Sequence, residues 1–508
     1  MPIVGHYLDE NETLILKVSS PEYNIMEELS ARQILGLEPE QIEVYEYFYN
    51  DIQWSPEPKI TTLRKSIQTK FSSMILDYMD VGHWNAAMDL IETSIIGKRR
   101  PSIAMTLALF DLMLKPASFH KQRRQYVRLC QRAERLLYYM LETFGPSHFN
   151  CVWSLFGNTD TNARKLHQAS AGTQGDSDDE AEEHGNNYVL SEYIDFWMFI
   201  SACFESDQLL ELQTQGRRRV AKLLISVLEH DLRERQEEPG KLEKSTFLSM
   251  LRKDTFGYRD QFDRYLEILF AVFERPQLNA TSERDKLNEA YTEGTELAGR
   301  LLNMLIILSY SANLVMTSAL VQQTYRRFSY LSTEAVSDFL QIIQCNTFIS
   351  ALCDMVLMDC DYGCVEKEYR HFRKQKGTTL SMDRLFHYVM KTRPLQRSSM
   401  DEVCRHVLIV LHRFMSFMSE CSLRCDTYQV SSTGEADWDH QVYTGILERE
   451  IVAVIERAPE ALESWRKHVE AMVVEARQGE QQDEARTKEL EEKIWWAFHL
   501  ATLNFDIV

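Results

Sequence analysis

Apolar side chains recur at three- and four-residue steps along most of this chain, the spacing that lines one face of an α-helix. Leu63, Ile67, Phe71, Ile75 and Tyr78 form the first such series, in a run that starts near Thr61 and ends at Gly82. A second run passes through Trp84, Ala87, Met88, Ile91 and Ile95 to Gly97, and Pro101 opens a third through Leu107, Leu109, Leu112 and Leu114. Three short helices with tight corners predict stacked antiparallel hairpins. No fixed repeat length recurs further on, so the pattern defines no named repeat class. The first fifty residues are the least helical. There Thr13–Val18 reads as a strand after the turn-like Asp9-Glu10-Asn11, predicting a small β-hairpin or an extended arm.

The periodicity lapses from Gly157 to Asn187, where Asn, Thr, Gly, Ser and Gln precede the acidic run Asp176–Glu183. A segment of this kind buries too little apolar surface to offset its ordering entropy. The expected organisation is an N-terminal helical region over 1–156, a disordered acidic linker over 157–187 and a C-terminal helical domain over 188–508. Ser177, followed by three acidic residues, is a candidate phosphorylation site for an acid-directed kinase. Beyond the linker, Tyr188–Phe204 is densely aromatic. Corners are expected at Pro239-Gly240, Pro276, Gly363, Gly377, Pro394 and the polar stretch Thr427–Asp439. The last helix carries Leu490, Ile494, Trp495, Ala497, Phe498 and Leu500, apolar bulk that predicts docking against the rest of the chain.

Turn residues are scarce, with 19 glycines and 12 prolines in 508 residues, about half the usual share. Sandwiches and barrels need a turn every ~8–12 residues, so the composition disfavours them. The fold class expected is all-α, either a multi-helical bundle or an irregular α-solenoid. Leu301–Tyr325 contains no charged residue and is long enough to span a bilayer. Its interruptions at Asn303, Ser309, Ser311, Asn313, Thr317, Ser318, Gln322 and Gln323, with arginines flanking both ends, predict a buried central helix instead and no membrane partner.

The formal charge is −20 and the pI about 5.3, so a phosphate backbone would be repelled unless cations gather locally. They do so most clearly on the helix expected over Phe119–Phe144. There Lys121, Arg124, Arg128, Arg132 and Arg135 fall on one side, and Tyr126, Cys130, Ala133, Leu137, Met140 and Phe144 form the opposite stripe. Like charges at these steps repel one another, so a compensating partner is expected. Acidic neighbours in the same chain, an external acidic peptide and nucleic acid all qualify. A second basic region includes Arg370, Arg373, Lys374, Lys376 and Arg384, with Tyr369, Phe372, Phe386 and Tyr388 among them. That mixture suits phosphate and base contacts, and equally an amphipathic helix with an aromatic core face. Lys98-Arg99-Arg100 and Arg217-Arg218-Arg219 are short clusters and weak as import signals.

Ten cysteines are scattered through the chain, and the opening residues lead into Asp9, Glu10 and Glu12 without a secretory apolar segment. Reduced thiols in the nucleus or cytosol are expected, the nucleus slightly favoured. Cys360-x3-Cys364 and Cys421-x3-Cys425, near His371, His406 and His412, have spacings that permit zinc. Four-residue spacing is also the helical core period, so no metal or other cofactor is expected. No phosphate-cradling Gly-x4-Gly-Lys-Ser/Thr loop, His-Glu-x-x-His or Gly-x-Ser-x-Gly occurs, and no pair of carboxylates stands out as acid and base. The expectation is a non-catalytic scaffold or adaptor subunit that binds other protein subunits in an intracellular complex. A nucleic-acid-associated factor of chromatin or genome maintenance, using the basic faces, is the alternative.

Overall fold

A computed structural model of the chain describes residues 4–8, 14–18, 66–67, 69–116, 123–156, 188–204, 212–236, 241–253, 258–273, 284–310, 315, 317–358, 399–431, 459–477 and 484–503. Nearly all of them are helical. At the N-terminus β1 (Val4–Leu8) pairs antiparallel with β2 (Leu14–Val18), with Val4 opposite Val18 and Leu8 opposite Leu14.

The first helices follow their predicted order. They are α1 (Thr69–Asp80), α2 (Trp84–Ile96), α3 (Ile103–Leu114) and α4 (Arg123–Phe144), with a single turn, α5 (Asn150–Trp153), after them. The first run starts later than its spacing suggested. Ser66 bridges Arg100, and the Ile67 amide donates to the Arg100 carbonyl at 3.0 Å, so Ile67 is buried from an extended segment and not from a helix. Tyr78 departs from the predicted apolar face as well: it stands exposed beside Met74 and Val81. The Ser102 side chain caps α3 by accepting from the Met105 amide, which satisfies one of the open donors of the first turn. At the end of α2 it is Lys98, one residue past Gly97, that takes the left-handed conformation with φ 56°, a φ that few non-glycine residues adopt.

Beyond residue 187 come α6 (Phe196–Cys203), α7 (Leu212–Gln236), α8 (Thr246–Lys253), α9 (Tyr258–Ala271) and α10 (Arg284–Tyr310). Then follow α11 (Thr317–Phe328), α12 (Thr333–Ile342), α13 (Asn346–Met358), α14 (Met400–Ser431), α15 (459–477) and α16 (Glu484–Leu503). The uncharged stretch 301–325 is shared by two helices. Every residue from Leu301 to Ser309 is buried, α10 ends at Tyr310, and α11 begins at Thr317. Among the described residues no helix is long and apolar enough to cross a membrane. The corner expected from Thr427 also moves, since α14 continues to Ser431. Its start is fixed by a reciprocal cap, in which Ser399 Oγ accepts from the Glu402 amide and Glu402 Oε2 accepts from the Ser399 amide.

Packing passes from neighbour to neighbour. Helix α1 packs on α2 and α3, both α2 and α3 on α4, and α3 and α4 on α7. From there α7 packs on α10, α10 on α12, α12 on α14, and α14 on α16, while α9 with α11 and α11 with α13 run alongside. Among the described residues, the extensive contacts never join α1–α4 to α11–α16. One continuous apolar core follows this path and takes in the helices on both sides of residues 157–187.

The aromatic run after that segment is part of this core. Trp197 stacks on Tyr265 of α9, ring centroids 4.2 Å apart, and Phe156 and Trp153 meet Phe196 edge-on. At the other end, α16 buries Leu490, Ile494, Ala497, Phe498 and Ala501, with Phe498 against Trp465 of α15. The C-terminal helix is docked, as its apolar content predicted.

Two glycines set how closely neighbouring helices approach. A Cβ on Gly216 of α7 would overlap the Met113 carbonyl oxygen of α3, and one on Gly299 of α10 would stand 2.8 Å from Ile342 Cδ1 of α12. Such contacts bring backbones nearer than any larger residue allows.

Candidate functional site

The amphipathic helix α4 is where predicted chemistry and described structure coincide. Its inner stripe, Tyr126, Leu129, Cys130, Ala133, Leu136, Leu137, Met140 and Leu141, is buried against α2, α3 and α7. The Tyr126 hydroxyl reaches through the core to the Met113 carbonyl, and burial raises its pKa above the usual phenol range.

The basic side of α4 is divided in two. Arg132 turns toward α2, where its guanidinium donates to Asp89, to Glu92 Oε2 at 3.3 Å and to the Asn85 carbonyl at 3.3 Å. Its hydrogen bond to the Asp89 carboxylate, above all, holds its pKa up. Arg124, Arg128 and Arg135 stay exposed and have no ion-pair partner among the described residues. Lys121, also expected on this side, lies outside the described residues. At 100° per residue the three open arginines fall within about 40° of arc and span ~16 Å of helix. Gln131 stands exposed among them, and Tyr139, 37 % exposed, continues the strip toward Glu142.

Several other described arginines are engaged within the fold. The Arg217–Arg219 cluster clamps helices together: Arg217 donates to the Ala202 carbonyl, Arg219 to Glu134 of α4 at 2.7 Å, and Arg218 to the Ala290 carbonyl and Glu293 of α10. Arg218 is 2 % exposed, and desolvation by burial lowers its pKa. Arg300 of α10 grips Glu229 of α7 through two bonds of 2.8 and 2.6 Å and adds a third to Ser226. Arg413 of α14 meets Asp354 of α13 at 2.8 Å with both groups buried, and it bonds Ser350, which pairs with Ser416. In the sequence these residues look like any helical surface charge, because nothing local marks a partner that lies up to 85 residues away.

His148 is held neutral. Its Nδ1 accepts from Arg100 Nε at 2.9 Å, which leaves the proton on Nε2, 3.0 Å from Thr106 Oγ1. Burial first, and the Arg100 charge second, push its pKa down to about 3. The described cysteines are free thiols, and burial pushes Cys130 and Cys151 up to about 11, away from the thiolate a nucleophile needs.

The remaining candidates lie outside the described residues: Arg370, Arg373, Lys374, Lys376, Arg384, Ser177, Cys360, Cys364 and His371. The same holds for the side chains of Cys421 and Cys425, although their backbone belongs to α14. Among the described residues no group of three or more His, Cys, Asp or Glu side chains is placed to hold a metal ion. The chain is thus an all-α, multi-helical protein in which the outer face of α4 presents three exposed arginines without an ion-pair partner among the described residues. No protein-family model and no curated protein matches it.

Proposed function

We propose that this chain is a non-catalytic helical scaffold or adaptor that holds other protein subunits in an intracellular complex. The observation that carries the reading is the neighbour-to-neighbour packing of α1 to α16. Helices stacked largely on their near neighbours leave long lateral surfaces, and such surfaces are used to bind partner helices and extended peptides. The net charge of −20 supports proteins over nucleic acid as partners, because a polyanion meets repulsion everywhere except at local basic faces. Arg217–Arg219, the short cluster after α6, is committed to packing and offers no such face.

Purification of the native protein under mild salt, followed by reconstitution from separately purified components, tests this. Stoichiometric subunits that rebind the pure chain are the expected result. A monomer that retains no stoichiometric partner, or turnover of a small molecule by the pure chain, would overturn it.

A further inference from the structure

We infer that the outer face of α4 is a docking surface for an acidic helix of a partner protein, with Arg124, Arg128 and Arg135 as its anchors. This rests on the scaffold reading and names the chemistry of one partner. Four observations carry it.

The first is selective vacancy. In a chain with 20 more negative than positive charges, the arginines with described side chains that lack a side-chain hydrogen bond or ion pair are Arg99, Arg326 and a group on α4, namely Arg123, Arg124, Arg128 and Arg135. Arg132, on the same helix, is fully engaged by Asp89 and Glu92. Acid is available within the fold, yet among the described residues the open three pair with none.

The second is spacing. Arg124, Arg128 and Arg135 sit at steps of four and seven, so their origins along the axis are about 6 Å and 16 Å from the first. A partner helix carrying carboxylates at i, i+4 and i+11 presents them at the same intervals on one face. An extended strand, rising ~3.3 Å per residue, would meet those intervals at i, i+2 and i+5, and the last of these points away from the other two.

The third is width. The exposed carboxylates of Asp89 and Glu92 border the strip on the α2 side, and Glu142 closes its end. The basic strip is therefore bounded by acid on the α2 side and at its far end, which suits a helix laid alongside and disfavours a polynucleotide track. The fourth is Tyr139, one turn beyond Arg135 and 37 % exposed, whose ring offers an apolar contact on the same strip.

The experiment uses the full chain and three fluorescent probes: a helix-stabilised peptide with Glu at i, i+4 and i+11, a peptide of identical composition with Glu at i, i+2 and i+9, and a single-stranded oligonucleotide of matched charge. Binding is read by anisotropy across a salt series. The expected result is that the matched peptide binds best and that Arg124→Ala/Arg128→Ala/Arg135→Ala weakens it by roughly tenfold or more. The control Arg99→Ala/Arg326→Ala leaves it within about twofold. Circular dichroism and melting of both variants should match the parent, since all the residues changed are exposed. Equal binding of the two peptides, tighter binding of the oligonucleotide, or equal loss in the control would overturn the inference. None of these results would touch the scaffold reading, which stands or falls on stoichiometric partners wherever they bind.

Discussion

The Tyr126 hydroxyl donates to the Met113 carbonyl at 2.8 Å, and that same carbonyl oxygen occupies the space a side chain at Gly216 would need. One backbone atom of α3 thus sets the approach of two other helices, α4 by a hydrogen bond and α7 by the missing Cβ. Gly216→Ala should destabilise the fold by about 1–3 kcal/mol through overpacking. Gly216→Val should cost more. The shift in the urea midpoint checks both, with Gly82→Ala as a comparison, because there the strain is the backbone φ of +85° and no atom stands in the way.

The buried pair Asp354–Arg413 carries a different kind of risk. Asp354→Ala leaves a guanidinium between α13 and α14 without its carboxylate, and a loss of about 3–5 kcal/mol is expected. Replacing both at once, with Asp354→Leu and Arg413→Met, removes the uncompensated charge. The double variant should recover most of the loss in thermal unfolding, giving a large coupling in the double-mutant cycle.

Acid should weaken the fold through its neutral histidines. In the folded chain His148 titrates near 3 and His412 near 4, against 6.5 for the free side chain, chiefly because burial disfavours the charged ring. Between pH 6.5 and those values the unfolded chain binds protons that the native chain refuses, so stability falls as pH falls through this window. Above pH 6.5 neither group contributes a slope. Each adds up to about 1.4 kcal/mol per pH unit inside the window. His148→Gln should flatten the measured dependence between pH 6 and 4.

The Arg300–Glu229 clamp depends on fork geometry, not on charge alone. Arg300→Lys keeps the cation and loses the paired bonds to both carboxylate oxygens and the bond to Ser226. A decrease of about 1–2 kcal/mol is expected. Equal melting of Arg300→Lys and the parent would show that charge is sufficient.

The helical class was legible because amphipathic periodicity is a local property, and the inner stripe of α4 shows it: Tyr126, Cys130, Ala133, Leu137 and Met140 are buried as their spacing predicted. The fate of the cations was not legible. Whether Arg132 pairs and Arg128 stays open depends on Asp89 and Glu92, some forty residues earlier, and no spacing on α4 encodes their position. Breaks inside apolar stretches were equally hidden, since Leu301–Tyr325 offers neither glycine nor proline where α10 gives way to α11. Tyr78 misled for the opposite reason: α1 packs on α2 and α3, and a residue with helical spacing can sit just past the edge of the covered arc.

Among the described residues α1 makes no extensive contact with α12 or α14, and the N-terminal end reaches α14 through strand β2. Small rotations shared among successive interfaces change the distance between the ends of the row at little cost to any one of them. Tension applied at α16 would therefore load the interfaces between successive helices together with the contact of β2 on α14.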